Sequence, residues 1–226
     1  MPERQVPRIS INKLGEYLVA TPSRRRAIIK EQKYPAAYRV SWYSQADHAI
    51  SDWFLSPTHD KAILTNHINQ IGQLVALKEQ ERQRNQNCVE AIIAFGKIAD
   101  GLDLADVEVI ECRHGASKLL IAGVEISVRP EFILRRSKDG QSEIGIEKIY
   151  FSKNNRLTED SGAYVAALVR RYAEEYLMSQ GQVNYRNCSV LDVFGERIFC
   201  SPRLMSRKLQ DVESACQEIA ARWDTI

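Results

Sequence analysis

The chain lacks the long apolar segments of membrane-spanning and secreted proteins. No run among its 226 residues approaches the roughly eighteen consecutive apolar positions that a membrane helix needs. The first ten residues, MPERQVPRIS, contain no apolar h-region of a secretory signal. We therefore expect a cytoplasmic protein.

Cysteine and histidine are scarce and show no ligand spacing. The five cysteines include no C-x-x-C pair, and free thiols in a reducing compartment are the simplest interpretation. They are Cys88, Cys112, Cys188, Cys200 and Cys216. The four histidines show no metal-binding pattern such as H-E-x-x-H. G-x-G-x-x-G, P-loop and G-x-S-x-G sequences are missing too, so no nucleotide cofactor is indicated and a serine hydrolase of that type is not supported.

The chain also lacks a large charge of either sign. Its 31 basic and 29 acidic residues leave a net charge of +2, so any basic surface for nucleic acid must be local. Hydrophobic residues make up 44% and charged residues 27%, as in ordinary globular proteins. This composition neither requires nor excludes a nucleic-acid partner.

The N-terminal third has the apolar periodicity of helices. Helices are predicted over 10–20, from a cap at Ser23 onward, over 44–55 and over 58–77. The following polar segment, KEQERQRNQN, is either an exposed helical extension or a boundary between two units. We place a boundary there, which divides the chain into a helical region 1–80, a candidate for nucleic-acid or partner contact, and a core 87–226.

After this segment the hydrophobic period changes from helical to alternating. A helix is predicted first, over 87–99, and a hairpin turns at Ala122-Gly123. The remaining elements are strands at 107–113, 118–121, 124–129, 132–136 and 143–152, a helix at 161–178, a hairpin at 190–200 and a helix at 204–223. The predicted fold class is therefore α/β (α+β), with an α-β-β-β-α-β core around a small mixed sheet.

A basic run near the N-terminus is a candidate nucleic-acid contact. Arginines in the first turn of a helix oppose the helix dipole, which indicates either a site or a solvated basic face. The run consists of Arg24, Arg25, Arg26, Lys30 and Lys33. Aromatic residues interleave with it at Tyr34 and Tyr38, followed by Arg39, a mixture that suits phosphate contact and base stacking.

Two short motifs within the core resemble those of a nuclease superfamily. Pro130-Glu131 follows one predicted strand, and Glu147-Lys148 lies in a later one. With the order of elements over about 87–200, these motifs resemble the PD-(D/E)XK nucleases, which include many restriction enzymes and the RecB-like nucleases. In that family, carboxylates bind Mg²⁺, which activates water, and a lysine assists at the phosphate.

The resemblance implies roles for individual residues. Glu131 corresponds to the second-strand acid and Lys148 to the lysine, with Glu147 as a third catalytic candidate. The magnesium ligands would be Glu131 and a second acid from Glu147, Glu90 or Glu125. Ile146 departs from the motif, because the family has an acid two residues before the lysine. Glu147 points to the opposite face of a regular strand unless a bulge re-aims it.

Three functions remain open. The first is a Mg²⁺-dependent deoxyribonuclease that processes DNA. The second is a catalytically inactive DNA-binding or scaffold subunit of the same fold in a larger bacterial complex, which Ile146 favours. The third is an unrelated interaction protein, which the near-neutral charge favours. The nuclease resemblance requires strands 124–129 and 143–152 to be neighbours in one mixed sheet, between helices 87–99 and 161–178.

Overall fold

A computed structural model describes residues 3–35, 42–112, 117–138 and 140–226. Across these ranges the chain is a mixed α/β fold with seven α-helices and eight β-strands in two sheets. None of the helices in the described ranges combines the length and the apolar character needed to cross a membrane. All five cysteines are free thiols.

The N-terminal segment forms a short strand and two helices: β1 (Arg8–Ser10), α1 (Ile11–Val19) and α2 (Pro22–Lys33). Ser10 caps α1 as expected, because its hydroxyl accepts a hydrogen bond from the Lys13 N–H at 3.3 Å. The cap expected at Ser23 is wrong. α2 begins at Pro22 after Thr21, since a first-turn proline gives up only an N–H that has no helical partner.

Three further helices confirm most of the helical prediction: α3 (Ser44–Leu55), α4 (Lys61–Gly72) and α5 (Glu79–Ile98). α4 is shorter than expected, because Asp60 caps it through the Ala62 N–H. The polar segment 78–87 lies largely within α5, which confirms the helical-extension alternative. The division into 1–80 and 87–226 stays a prediction.

The smaller sheet has the strand order β1-β4-β3, where β3 is Lys118–Ile121 and β4 is Val124–Ser127. The predicted hairpin is confirmed: Ala122 and Gly123 both have left-handed backbones, with φ of 47° and 78°. Such a two-residue turn matches the twist of the flanking strands. β1 joins the hairpin in parallel through β4.

The larger sheet has the order β2-β5-β6-β7-β8. Its strands are β2 (Val107–Glu111), β5 (Phe132–Lys138), β6 (Gln141–Tyr150), β7 (Gln182–Asp192) and β8 (Arg197–Cys200). β2, β5 and β6 are antiparallel, whereas β6 and β7 are parallel. A parallel pair needs a crossover, and the helix α6 (Glu159–Tyr176) supplies it. The last helix, α7, spans Ser206–Trp223.

The expected pairing of strands 124–129 and 143–152 is wrong, so the condition that the nuclease resemblance placed on these two strands is not met. β4 belongs to the smaller sheet and β6 to the larger one. The β3–β4 hairpin is an insertion between β2 and β5, and its hydrogen-bonding edge is taken by β1. The antiparallel neighbour of β6 is β5, so the order helix, three strands, helix, strand is formed by α5, β2, β5, β6, α6 and β7.

Helices cover both faces of the larger sheet. Ile144 and Ile146 of β6 belong to one apolar cluster with residues of α1, α2, α6 and α7. Ile149 belongs to a second cluster with residues of α3, α4 and α5. The predicted flanking helices near 87–99 and 161–178 are confirmed, because α5 contributes to the second cluster and α6 to the first.

Candidate functional site

Glu131 and Lys148 meet at the junction of β5 and β6. Glu131 lies one residue before β5, and its backbone N–H donates to the Glu147 carbonyl at 3.0 Å. The Lys148 Nζ lies 2.5 Å from Glu131 Oε1, and the Ile149 N–H donates to Oε2 at 2.6 Å. Both carboxylate oxygens are therefore bonded within the protein.

This ion pair is largely buried. The exposed fraction is 8% for the Lys148 side chain and 24% for that of Glu131. Burial raises the pKa of Glu131, whereas the Lys148 charge and the two hydrogen bonds act in the opposite direction. The Asp47 carboxylate of α3 adds a smaller upward contribution to the same pKa. The attraction between the two charges is thus the main interaction that offsets the cost of burying them.

Glu147 faces a different neighbour. Its carboxyl oxygens lie 2.7 and 2.6 Å from the hydroxyl of Ser189 on β7, on the opposite side of β6 from β5. Complete burial raises its pKa to about 8, so the carboxyl is mostly protonated at neutral pH. A register irregularity does occur in β6 between Ile144 and Ile146, but the Glu147 carboxyl stays bonded to Ser189 on β7.

The two other candidate metal ligands lie elsewhere. Glu90 of α5 pairs with Lys153 at 2.5 Å, and Glu125 pairs with Lys118 across the β3–β4 hairpin. In the described ranges, no three histidine, cysteine, aspartate or glutamate side chains assemble into a metal-binding group. Each of the four candidate acids is bonded to another residue of the protein, and the expected Mg²⁺ site stays a prediction.

A cavity of about 430 Å³ opens beside Lys148, between the two sheets and the start of α1. Three arginines line it together with Lys148: Arg4 and Arg8 from the N-terminal segment, and Arg129 from a distant part of the chain. Sequence reasoning missed these arginines as a group. Arg129 follows β4, more than a hundred residues after Arg4 and Arg8, and no local pattern relates residues so far apart.

Most of the basic side chains of α2 are bonded to other residues of the protein. Arg24 pairs with Glu16 and Glu31 at 2.7 and 2.6 Å. Arg25 pairs with Glu218 at 3.2 Å and also donates to the Tyr17 and Leu18 carbonyls. The buried Lys33 donates to the Trp223 carbonyl at 2.8 Å.

Two residues of that run remain available to a partner. Arg26 and Lys30 are exposed, and neither forms a hydrogen bond or ion pair within the described part of the chain. Tyr38 and Arg39 lie outside the described residues. The free basic surface of α2 is therefore smaller than the sequence indicates.

Comparisons with protein-family models and with curated proteins found no relative of this chain. The functional assignment therefore rests on the geometry of the described residues.

Proposed function

We propose that this chain is a DNA-binding protein with a nuclease-like core that does not cut DNA. One observation carries the proposal: the pair that the resemblance assigns to catalysis is an internal ion pair. Both Glu131 oxygens are bonded, one to Lys148 and one to the Ile149 N–H. A metal ion at Glu131 would compete with these two donors and would lie next to the Lys148 charge.

The arrangement of the larger sheet supports the nuclease-like core. β5 and β6 are antiparallel, β7 is parallel to β6, and α6 connects the two parallel strands. With β5 as the second strand, Pro130-Glu131 stands at its start and Lys148 lies on the adjacent third strand. The pairing with strand 124–129 on which the resemblance was based is wrong. The proposal takes β5 in its place, with Glu131 before the strand and not after it.

The chemistry of the third strand supports the loss of catalysis. Ile146 occupies the position where the motif has an acid, and it is fully buried in an apolar cluster. Glu147 is mostly neutral at pH 7 and bonded to Ser189. One carboxylate with waters holds Mg²⁺ weakly, because this ion demands near-octahedral oxygen coordination. Phosphate contact by arginine and lysine needs no metal.

A combined binding and cleavage assay tests the proposal. Purified protein is mixed with end-labelled single- and double-stranded DNA, with Mg²⁺ or Mn²⁺ and with EDTA. We expect a complex in every condition and no shortened product. Complex formation should weaken as salt rises, because phosphate contacts release counterions. Lack of binding to any DNA would contradict the proposal.

An active deoxyribonuclease is the second candidate, and one observation favours it. Lys148 and Glu131 lie side by side next to an open cavity, as an acid and a lysine of such an enzyme must. Metal-dependent cutting that Glu131→Gln and Lys148→Met each abolish, with folding retained, would establish this candidate and exclude the first.

A further inference from the structure

We infer that the cavity between the two sheets binds a phosphomonoester, either the phosphorylated end of a nucleic-acid strand or a free mononucleotide. The inference deepens the proposed function and rests on it for the strand end. Arg8, Ser10 and Asn12 line the cavity from the continuous segment of β1 and α1, and the fold brings Arg129 and Lys148 to them from two distant segments.

The charge of the cavity matches a dianion better than a monoanion. Lys148 is already paired with Glu131, whereas Arg8 and Arg129 line the cavity without an ion pair to any residue that the structure describes. A terminal phosphate carries close to two negative charges at neutral pH, but an internal phosphodiester carries one. Two guanidinium groups therefore favour the terminal group, since arginine bonds phosphate through two parallel N–H donors.

One acid near the cavity offsets part of this charge, because Arg8 helps to lower the pKa of Glu125. Glu125 stands opposite Arg8 in the register of β1 and β4, but its carboxylate forms its ion pair with Lys118. Arg4 also lines the cavity, and its Nη1 donates to the Gln32 carbonyl at 3.1 Å, which holds the guanidinium at the cavity wall.

The start of α1 adds polar groups at the same place. Ser10, Ile11 and Asn12 line the cavity, and the first turn of this nine-residue helix contains no acid. The Lys13 N–H is taken by the Ser10 hydroxyl, and the dipole of the helix favours an anion at this end. The Asn12 Oδ1 is buried and has no hydrogen-bond partner in the described ranges. Rotation of this amide offers either a donor to a phosphate oxygen or an acceptor to a hydroxyl.

Arg129 has a backbone that an arginine rarely adopts. Its φ of 48° is left-handed, and such strain in a residue other than glycine persists where the surroundings enforce it, often at binding sites. Its side chain is exposed at the rim of the cavity. The cavity volume of about 430 Å³ exceeds that of one water, about 30 Å³ in the liquid, more than tenfold. This volume is large enough for a phosphate with part of the attached nucleoside.

Matched ligands test the inference. Fluorescence anisotropy compares one oligonucleotide as its 5′-phosphorylated, 3′-phosphorylated and unphosphorylated forms, and calorimetry measures dAMP against deoxyadenosine. We expect a phosphorylated form to bind about tenfold or more tightly than its unphosphorylated twin, as two or three charge-assisted hydrogen bonds would produce. A preference shared by the oligonucleotide and dAMP identifies a general phosphomonoester site. A preference of the oligonucleotide alone identifies a strand-end site.

Two variants test whether the cavity is the place where the phosphate binds. Arg129→Asn suits a left-handed backbone and removes the charge, and Arg8→Gln removes a second cation. Both should bring the ratio of affinities close to one while circular dichroism and thermal unfolding show a folded protein. Arg207→Gln, at an exposed position of α7 outside the cavity, is the matched control and should leave the ratio unchanged.

The outcomes separate this inference from the proposed function. Equal affinity for phosphorylated and unphosphorylated DNA overturns the phosphomonoester site and leaves DNA binding intact. If the protein binds dAMP but not DNA, and Arg129→Asn abolishes the binding of dAMP, the phosphomonoester site is upheld and the DNA function is overturned. If Arg129→Asn and Arg8→Gln both keep the preference for phosphorylated ligands, the phosphate binds outside this cavity and the inference is overturned. Absence of binding to all of these ligands overturns both.

Discussion

Replacing Lys148 with Met removes the cation that is paired with Glu131. The side chains have similar length, so the main loss is the charge. In the variant the Glu131 carboxylate keeps its hydrogen bond from the Ile149 N–H but has lost its ion-pair partner. Breaking a buried ion pair from one side costs roughly 3–5 kcal/mol. Because 24% of the Glu131 side chain is exposed, we expect the low end, about 3 kcal/mol.

Urea unfolding measures this loss. For an m value of about 2–3 kcal/mol per molar urea, the midpoint should fall by about 1 M or more. Burial already raises the pKa of Glu131, and the loss of Lys148 raises it further. The unfolded chain then binds fewer protons than the folded one, so the variant should lose additional stability as pH rises through the folded pKa.

The double variant Glu131→Gln/Lys148→Met separates pairing from packing. Each single variant leaves one buried charge, whereas the double variant leaves none. Its destabilisation should be smaller than the sum of the two singles, with a coupling free energy above about 1 kcal/mol. If Lys148→Met unfolds within about 0.5 kcal/mol of the wild type, or the two substitutions are additive, the two side chains do not form a buried ion pair.

Other parts of the structure give three more predictions. Glu147→Gln should flatten the pH dependence of the free energy of unfolding. Burial raises the pKa of Glu147 to about 8, so the folded protein loses roughly 1.4 kcal/mol of stability per pH unit as pH rises from the pKa of an unfolded glutamate toward 8. Urea midpoints at pH 5.5 and pH 8 should therefore differ more in the wild type than in the variant, and equal differences would contradict the buried neutral carboxyl. Gly145→Ala should destabilise by at least about 2 kcal/mol, because a Cβ there would lie 2.1 Å from the Asn187 carbonyl oxygen of β7; thermal unfolding checks this, with Gly72→Ala, which meets nothing within 4 Å, as the control. Arg26→Ala/Lys30→Ala should flatten the plot of log affinity for DNA against log salt by up to about two units, whereas the control Arg24→Ala/Arg25→Ala, which removes internally paired arginines, should flatten it much less. A wild-type slope in Arg26→Ala/Lys30→Ala would show that these two residues do not contact phosphates.

Much of the fold follows from local sequence signals. Ser10 and the apolar stripe behind it predict α1, Ala122-Gly123 predicts the β3–β4 turn, and the spacing of Val165, Leu168 and Val169 predicts α6. These signals act within a few residues, so they are recognisable without the tertiary structure.

Strand pairing could not be predicted in the same way. The sequence suggests strand 124–129 as the neighbour of β6, but β1, more than a hundred residues earlier, pairs with β4 instead. Arg8 and Ile9 precede α1 with no turn signal that marks them as a strand. The first part of β7, 182–189, escapes prediction because polar residues such as Asn184 and Arg186 interrupt its apolar pattern.

The candidate site was predicted only in part. Glu131 and Lys148 come together as the resemblance implies, but their bonding to each other was not visible in the sequence. The positions of Glu90 and Glu125 depend on helix and sheet packing, and each is paired with its own lysine. The cationic cavity depends on four segments that only the tertiary fold brings together.

We propose that the Glu131–Lys148 pair stands in place of a metal centre while the protein still binds DNA. The most direct measurement follows a 5′- and 3′-labelled DNA duplex and its single strands with excess protein in Mn²⁺, the more permissive ion, on a denaturing gel, with a native gel of the same samples. We predict a retarded complex and full-length strands. Shortened strands that disappear with Glu131→Gln would contradict the claim.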